Sequence, residues 1–344
     1  MDLPSQKSLP VHLLAGCLNN TSATYKFYWF LSLIRQVETN GAHLLKQDLF
    51  AEMIAHAWYT VNYFKVSFGK QDKLQSALFN VRNIERLTVD KDQSAIYNVL
   101  SGTTNKATVR ELNYFNGEVP HRFLSPWFNT NNRAGAYAAS QRFENQCLYA
   151  LYETYIEINP IWIEYLQSHA GILRSFCYWK LALYLQKRNP SVPGIPSKLV
   201  KSPVRKSLNE QRKFWNIVIG ELGSVDCIYT NKRLKIGDYA VEHFLPYAFV
   251  AHDLIWNIIP ADHSFNSSKS DKLPPLDIYF ESYFSLQRSA LEIIKHKAPK
   301  NRFLEDYLTI VPDTSSFEQQ CVLEQLLPMI TIARNNGFEM LKPL

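Results

Sequence analysis

The sequence predicts a mainly α-helical protein in which one stretch of the C-terminal half combines short strands with a helix. Most of the 344 residues show apolar side chains at three- and four-residue spacing, which is typical of helices that pack on a core. Around residues 227–245 the pattern changes to short strand-like runs separated by turn residues. With 46% hydrophobic residues, the chain is suited to a large buried core and is not a disordered polymer.

The N-terminal region, residues 1–115, is predicted as a helical domain. Its clearest helices run from Thr21 to Val37 and from Leu49 to Phe64, where aromatic side chains recur on one face. We interpret these faces as core, because aromatic residues that stack on bases normally lie on exposed surfaces. Residues 116–196 are predicted as a helical subdomain that ends in a linker. Its predicted helices run from Glu144 to Ile158, Pro160 to His169 and Ile172 to Gln186.

A proline-rich connector marks the clearest boundary. Residues 189–196 contain three prolines and one glycine, a composition that favours an extended, semi-rigid linker. A domain over residues 197–290 follows, with a helix from about Ser207 to Leu222 and strands at Cys227 to Thr230 and Val241 to Leu245. Residues 291–344 are predicted as C-terminal helices. The helices predicted after the strands run from Asp277 to His296, Phe303 to Ile310 and Ser316 to Phe338.

The formal net charge of +6 is concentrated in one segment. Nine basic and three acidic residues lie between Lys198 and Lys235, so this segment carries the whole excess. A nucleic acid would be attracted to it, whereas the alternative is an ordinary solvated linker and helix face. The phosphate contacts predicted in the segment are Arg205, Lys206, Arg212, Lys213, Lys232 and Arg233.

Cysteine usage indicates a reducing, cytoplasmic setting. The five cysteines are scattered and form no Cys-x-x-Cys pair, so we expect neither a disulfide framework nor a structural zinc site. No apolar run is long enough to span a bilayer, and residues 1–7 lack the pattern of a secretory signal. The sequence therefore predicts no membrane partner.

An acid–histidine pair followed by two asparagines is the pattern that carries chemistry. Glu242 and His243 are adjacent, and Asn257 lies 14 residues beyond the histidine. Asn266 comes nine residues later and is followed by Lys269. That order supplies a base, a structural amide and an oxygen ligand for a hard cation, as phosphodiester hydrolysis with one metal ion requires. Taken singly, each residue has an ordinary interpretation as a surface pair, a turn residue or a helix N-cap.

The same segment resembles the HNH, or ββα-metal, endonuclease family. It is most similar to the His-Asn-Asn variant found in the HNH domain of RNA-guided CRISPR effector nucleases. Those domains carry acid-His-hydrophobic-x-Pro, then Asn, then Asn-x-x-Lys-Ser-Asp-x-x-Pro. The chain matches this pattern at Glu242 to Pro246, at Asn257 and at Asn266 to Pro274. The resemblance implies a ββα-metal nuclease domain within residues 197–290, preceded by a helical N-terminal region and followed by helices.

The resemblance also implies a role for each residue of the motif. His243 would be the general base that takes a proton from the attacking water. Glu242 and Asn266 would bind one Mg²⁺ or Mn²⁺ ion. Asn257 would not touch the substrate, and its side-chain amide would brace the loop that holds His243 in place.

The flanking residues carry further expectations. Lys269 and Lys272 are expected to contact phosphate, His263 is a further candidate for such a contact, and His252 is expected to be exposed and inert. The chain departs from the family in two respects. The leading acid is glutamate, where the guided nucleases commonly have aspartate. Many members also carry two zinc-binding cysteine pairs, but here Thr230 stands where the partner of Cys227 would be, and no pair follows the motif. We therefore expect packing, and no zinc, to hold the domain.

The function implied by the resemblance is DNA cleavage by an endonuclease, with a role in bacterial defence. The helical N-terminal region would recognise DNA, a modification or a partner protein. One alternative is a non-catalytic nucleic-acid-binding or interaction protein with a decayed nuclease fold, and another keeps the nuclease and makes RNA the substrate. Because one ββα site cuts one strand, double-strand cleavage would need a homodimer or two sequential nicks.

Overall fold

A computed structural model describes residues 3–128, 132–200 and 207–342. Helices dominate these residues and the strands form only small sheets, which confirms the predicted mainly α-helical class. The α-helices are α1 Val11–Gly16, α2 Tyr25–Asn40, α3 Lys46–Asn62, α4 Lys73–Ile84, α5 Gln93–Ser101, α6 Lys106–Asn113, α7 Pro120–Phe123, α8 Arg133–Ser140, α9 Pro160–Ser168, α10 Ala170–Arg188, α11 Asn209–Leu222, α12 Tyr247–Val250, α13 His263–Lys269, α14 Leu276–Lys297 and α15 Gln319–Asn335. The strands are β1 His43–Leu45, β2 Tyr149–Leu151, β3 Tyr155–Ile158, β4 Val225–Asp226, β5 Arg233–Leu234, β6 Ala240–His243 and β7 Ile258–Ala261. Short 3-10 helices span Tyr114–Gly117, Phe143–Asn145, Ile195–Lys198, Ile255–Asn257, Arg302–Thr309 and Thr314–Ser316.

The chain divides into two compact units. The helical unit contains the described residues of Met1–Pro190 and Ile195–Lys201, and the C-terminal unit contains those of Ser191–Gly194 and Ser202–Leu344. The finer division into four parts stays a prediction. None of the described helices is long and apolar enough to cross a membrane.

Helices α2 and α3 form the centre of the helical unit, where they pack on each other and on α4, α5, α9 and α10. Trp29 of α2 and Trp58 of α3 are fully buried, as expected for core aromatic faces. The Trp29 indole N–H donates to the Tyr149 hydroxyl at 3.0 Å, so even this polar atom is satisfied in the core. Helix α2 ends at Asn40, and its C-cap is Gly41, whose φ of +77° suits a residue without a side chain.

The helix predicted from Glu144 to Ile158 is not present. This stretch instead forms β2 and β3, and β3 lies between β1 and β2 in an antiparallel sheet. Tyr155 to Ile158 alternate between half-buried and buried, the period of two that marks a strand. The prediction was wrong because a short apolar run satisfies helical and strand spacing equally well.

A β-hairpin followed by a helix forms the centre of the C-terminal unit. Strand β6 pairs antiparallel with β7, with Glu242 opposite Ile259 and His243 opposite Ile258, and α13 begins two residues after β7. The strand predicted at Cys227 to Thr230 is a turn between β4 and β5, closed by the hydrogen bond from Asn231 N to the Cys227 carbonyl at 2.9 Å. Thus the ββα arrangement is present, but its second strand is β7.

The helices predicted around the hairpin are present as α11, α14 and α15, with ends shifted by at most three residues. The stretch predicted as a helix from Phe303 to Ile310 is a 3-10 helix, Arg302–Thr309. Helices α11 and α14 pack on each other, and α11 also contacts β7. They provide the apolar layer against which the hairpin lies.

Candidate active site

A buried ion pair joins β6 to α13. The Lys269 ammonium donates to Oε1 of Glu242 at 2.7 Å and to the carbonyl of His243 at 2.8 Å. The Lys269 side chain is fully buried, and the Glu242 side chain is 11% exposed. Burial lowers the pKa of Lys269, and the neighbouring Glu242 carboxylate opposes that shift. These contacts hold the end of α13 against the last residues of β6.

Lys269 therefore does not make the phosphate contact that the resemblance implies. Its ammonium has no exposed surface and is committed to Glu242 and a backbone carbonyl, so it cannot reach a nucleic acid in this arrangement. The prediction was wrong because lysine is almost never fully buried unless paired, and the sequence does not reveal this pairing. Lys272 lies beyond the end of α13 and is half-buried, with its ammonium 3.5 Å from the Ser268 carbonyl.

Asn266 lies one helical turn before Lys269 on α13. Residues three apart share a helix face, so Asn266 lies on the face that carries Lys269 towards β6. Its side chain is half-buried, and within the described part of the chain its amide forms no hydrogen bond. Of the two carboxylate oxygens of Glu242, Lys269 bonds to Oε1 and not to Oε2. Among the residues that the structure describes, Oε2 of Glu242 and the amide oxygen of Asn266 therefore remain available as ligands.

The imidazole of His243 is oriented by a carboxylate. Nε2 of His243 lies 2.9 Å from Oδ1 of Asp253, and the two side chains are 5% and 22% exposed. An ionised carboxylate only accepts hydrogen bonds, so Nε2 carries the hydrogen and the ring lone pair is on Nδ1. The ring of Tyr247 packs edge-on against the imidazole, with centroids 5.6 Å apart. This is the tautomer that a general base acting through Nδ1 requires.

Asp253 was not predicted as a site residue. It lies ten residues after His243, in the loop between α12 and the 3-10 helix Ile255–Asn257, and only the fold brings the two side chains together. The only signal in the sequence is an acidic residue in a loop near the motif. Its neighbour His252 was predicted to be exposed but is half-buried. Its Nδ1 accepts from the Leu254 N–H at 3.4 Å, and its ring packs on Trp256.

Asn257 holds the backbone that follows β6. Its Oδ1 accepts from Leu245 N at 2.7 Å, and its Nδ2 donates to the Leu245 carbonyl at 2.9 Å. The Asn257 carbonyl also accepts from Phe244 N at 2.7 Å. The side chain is fully buried, so it satisfies two backbone groups that water cannot reach. This geometry suits a brace for the strand end that carries His243.

The segment around Asn257 is itself held from several sides. Gln287 of α14 donates to the carbonyls of Ile255 and Ile258 at 3.2 and 2.9 Å. The Trp215 indole N–H of α11 donates to the Ile258 carbonyl at 3.2 Å, and Asp306 accepts from Ile255 N at 2.7 Å. These bonds come from separate elements, so the position of the brace depends on the packing of the whole unit. Trp215, Phe249 and Trp256 are buried and Tyr247 is half-buried, in keeping with a domain held by packing.

The start of α13 is fixed by Asp262 and Cys227. Asp262 is the N-cap and accepts from Ser264 N at 2.8 Å, while Cys227 Sγ accepts from Asp262 N at 3.4 Å. The bonds from Ser264, with a smaller contribution from Lys232, lower the pKa of Asp262 to about 2. His263 is the first residue of α13 and is exposed, so its imidazole is accessible to a ligand.

Three cations of the basic segment form ion pairs within the C-terminal unit. Lys213 pairs with Glu210 at 2.7 Å, Lys232 with Asp262 at 3.3 Å, and Arg233 with Asp226 at 3.7 Å; the three cations are all at least 48% exposed. The half-buried Arg212 donates to the Tyr239 carbonyl at 2.8 Å and lies over the Tyr239 ring, which is a structural role. Arg205 and Lys206 lie outside the described residues.

The available oxygens suit a hard cation completed by water and phosphate. A carboxylate and an amide oxygen are donors that Mg²⁺ prefers, and Mg²⁺ commonly uses only one or two protein carboxylates. Among the described residues, no group of three or more histidine, cysteine, aspartate and glutamate side chains is placed to hold a metal. Glu242 and Asn266 each supply an oxygen donor of this kind, and the ammonium of Lys269 at Oε1 of Glu242 opposes the approach of a cation to this carboxylate.

A comparison with protein families matches residues 227–275 to the HNH endonuclease family. This segment contains the hairpin, α13 and every residue of the motif, so the chain contains an HNH-family domain. HNH nucleases act on nucleic acids and are generally metal-dependent. Comparisons with curated proteins and with solved structures found no match. The narrower similarity to the guided nucleases stays a prediction.

Proposed function

We propose that the chain is a metal-dependent endonuclease that hydrolyses phosphodiester bonds of DNA, with His243 as the general base. The observation that carries this proposal is the position of His243 at the end of β6, with Nε2 bonded to Asp253 and its neighbour Glu242 facing α13. An HNH-family domain surrounds this arrangement.

The proposed base acts through Nδ1. Nδ1 of His243 takes a proton from a water aligned with the scissile phosphorus, and the water oxygen bonds to phosphorus while the bond to the 3′ oxygen breaks. The departing 3′ oxygen takes up a proton from solvent water. Asp253 stabilises the imidazolium that forms and keeps the ring in one tautomer. Since the His243 side chain is only 5% exposed, binding of the substrate must admit a water beside Nδ1. The products are 5′-phosphate and 3′-hydroxyl ends.

Glu242 and Asn266 are the proposed ligands of one Mg²⁺ or Mn²⁺ ion. Such an ion supplies positive charge next to the scissile phosphate. Lys269 fixes Oε1 of Glu242, so the second carboxylate oxygen has a defined position before any ion binds. Asn257 keeps the strand end that carries both Glu242 and His243 in place.

DNA is the proposed substrate, and three exposed cations near the hairpin support a nucleic-acid partner. Lys213 and Arg233 are held by exposed ion pairs, which are worth about 0–1 kcal/mol and are readily exchanged for phosphate. Lys232 is itself 48% exposed but pairs with the buried Asp262. His263, the first residue of α13, and Lys272, beyond its end, are further proposed phosphate contacts. The proposed role in bacterial defence rests on the resemblance to the guided nucleases alone.

Cleavage of defined substrates tests this function. Supercoiled plasmid, single-stranded DNA and RNA are each incubated with the protein in Mg²⁺, in Mn²⁺ and in EDTA. We expect nicking of the plasmid with either ion, none in EDTA, and none by His243→Ala. Preferential cleavage of RNA would show that RNA, and not DNA, is the substrate. If no substrate is cut while salt-sensitive DNA binding is retained, the alternative of a non-catalytic binding protein is favoured.

A further inference from the structure

The helical unit contains a polar cavity that has no part in the proposed cleavage. Its volume is about 650 Å³, within the range of roughly 300–1,000 Å³ that is typical of small-molecule sites. Side chains of α2, α3, α5 and α10 line it. The lining residues used below are Arg35, Glu52, His56, Gln93, Tyr97 and Arg174.

The floor of the cavity carries an unsatisfied donor. Gln93 Nε2 lies 2.8 Å from His56 Nδ1 and donates to it, so the hydrogen of the neutral ring is on Nε2. That nitrogen is buried and lies 3.3 Å from Oε1 of Glu52 without hydrogen-bond geometry. Burial, with smaller contributions from Arg35 and Arg174, lowers the pKa of His56 to about 3, and burial raises the pKa of Glu52. The floor therefore presents a neutral imidazole N–H and a carboxyl group side by side, and a buried donor without an acceptor calls for one from a ligand.

The rim of the cavity carries two guanidinium groups. Arg174 is held by Glu38, whereas the exposed Arg35 forms no ion pair with any residue that the structure describes. Asp92 also lines the cavity, and it is the N-cap of α5, where it accepts from Ser94 N at 2.9 Å. Arg35 is therefore the rim charge that is available to an anion.

We propose that this cavity binds one nucleotide, with its base on the floor and its phosphate at Arg35. The edges of a base present adjacent donors and acceptors, which match the amide of Gln93, the N–H of His56 and the carboxyl group of Glu52. The half-buried ring of Tyr97 supplies a face on which a base can stack. A guanidinium group binds phosphate through paired hydrogen bonds. The nucleotide is either free or part of a single strand, since both present the same groups.

Calorimetric titration in EDTA tests the site without cleavage. The ligands are AMP, GMP, CMP and UMP, their four nucleosides, and a short single-stranded DNA. The variants are Arg35→Ala and, as a control, Arg110→Ala, which removes an exposed arginine of the same unit outside the cavity. In the wild type and in Arg110→Ala we expect at least one monophosphate to bind about tenfold or more tightly than its nucleoside. In Arg35→Ala that difference should disappear.

The outcomes separate the two sources of the nucleotide. Binding of a free monophosphate that depends on Arg35 assigns a small-molecule site, and binding of the strand alone that depends on Arg35 assigns a strand site. If no ligand binds, or if Arg35→Ala and Arg110→Ala bind alike, the proposal is overturned. The Gln93→Ala variant tests the proposed orientation of the nucleotide. If the order of affinities among the four monophosphates is unchanged in this variant, the base does not contact the floor of the cavity. Because the titration measures binding alone, its outcome is independent of the proposed nuclease activity.

Discussion

The ammonium of Lys269 on α13 lies 2.7 Å from a carboxylate oxygen of Glu242 on β6, and both residues are buried. The residue pair joins the strand that carries the proposed base to the helix that carries the proposed ligand Asn266. The ammonium of Lys269 therefore already neutralises part of the negative charge of Glu242 that a bound metal ion would otherwise neutralise. Stability and metal binding are coupled at this carboxylate.

Replacing Lys269 by methionine should destabilise the protein and increase its response to Mg²⁺. The change leaves the Glu242 carboxylate buried without its partner, which costs about 3–5 kcal/mol. A divalent ion can then take the place of the ammonium, so the thermal midpoint should rise more with MgCl₂ than it does in the wild type. Lys272→Met is the control and should change stability by less than about 0.5 kcal/mol. If MgCl₂ raises the thermal midpoint of Lys269→Met and of the wild type equally, Glu242 does not bind the metal ion.

Replacing Asp253 by asparagine should slow cleavage without weakening substrate binding. An amide can present its N–H₂ group to Nε2 and so favour the tautomer that places the hydrogen on Nδ1. We expect kcat to fall about a hundredfold or more with little change in KM. Asp238→Asn, in an exposed turn of the same unit, is the matched control. A fall in substrate affinity with kcat unchanged would mean that Asp253 contacts the substrate instead.

Replacing Asn257 by alanine should lower the stability of the C-terminal unit. The N–H and the carbonyl of Leu245 would each lose a buried partner, at a cost of about 1–3 kcal/mol per group. Urea unfolding followed by circular dichroism measures the loss, with the exposed Asn335→Ala as the control. A stability equal to that of the control would show that water or another side chain replaces the amide.

Neutralising Lys213, Lys232 and Arg233 together should reduce the salt dependence of DNA binding. Each lost phosphate contact lowers the slope of log K against log salt by about 0.9, so three contacts would lower it by roughly 2.7. The control removes three exposed cations of the helical unit, Lys70, Lys106 and Arg110. If both triple variants change the slope equally, the three cations near the hairpin do not form the DNA-binding surface.

The neutral state of His56 predicts a specific pH dependence of stability. Burial holds its pKa near 3 in the folded chain, against an ordinary value of 6.5. Between these values the unfolded chain binds a proton that the folded chain does not, so the wild type loses stability as the pH falls below 6.5. From pH 7 to pH 5 the loss should be about 2 kcal/mol greater than in His56→Gln, which cannot take up the proton. Thermal midpoints of both proteins across that range provide the measurement, and parallel curves would contradict the assignment of a neutral His56.

The motif could be read from the sequence because its chemistry depends on spacing along the chain. The 14-residue interval from His243 to Asn257 spans the loop between the two strands, and the nine-residue interval to Asn266 spans β7 and the first turn of α13. Both elements are short and consecutive, so the order of residues determines which side chains meet. The core helices were likewise predictable, because their aromatic faces repeat with the helical period.

The remaining features depend on contacts between distant residues. Strand β7 contains Pro260, which argues against a strand. The proline is tolerated because, among the residues that the structure describes, β7 pairs with β6 alone. Lys269 is buried because the fold places it beside Glu242, which lies 27 residues earlier in the chain. Asp253 reaches His243 because of the path of the loop that follows α12. No local pattern encodes these distances. The polar cavity of the helical unit is similar, because its lining comes from four separate helices.

The most direct test of the proposed site is the single-turnover rate of plasmid nicking by His243→Ala with saturating Mg²⁺. Loss of a positioned base should slow the reaction by about 10²–10⁴-fold, and added imidazole should restore part of the rate. His296→Ala, which removes an exposed imidazole at the end of α14, should cut at the wild-type rate. Nicking by His243→Ala at the rate of His296→Ala would contradict the assignment of His243 as the base.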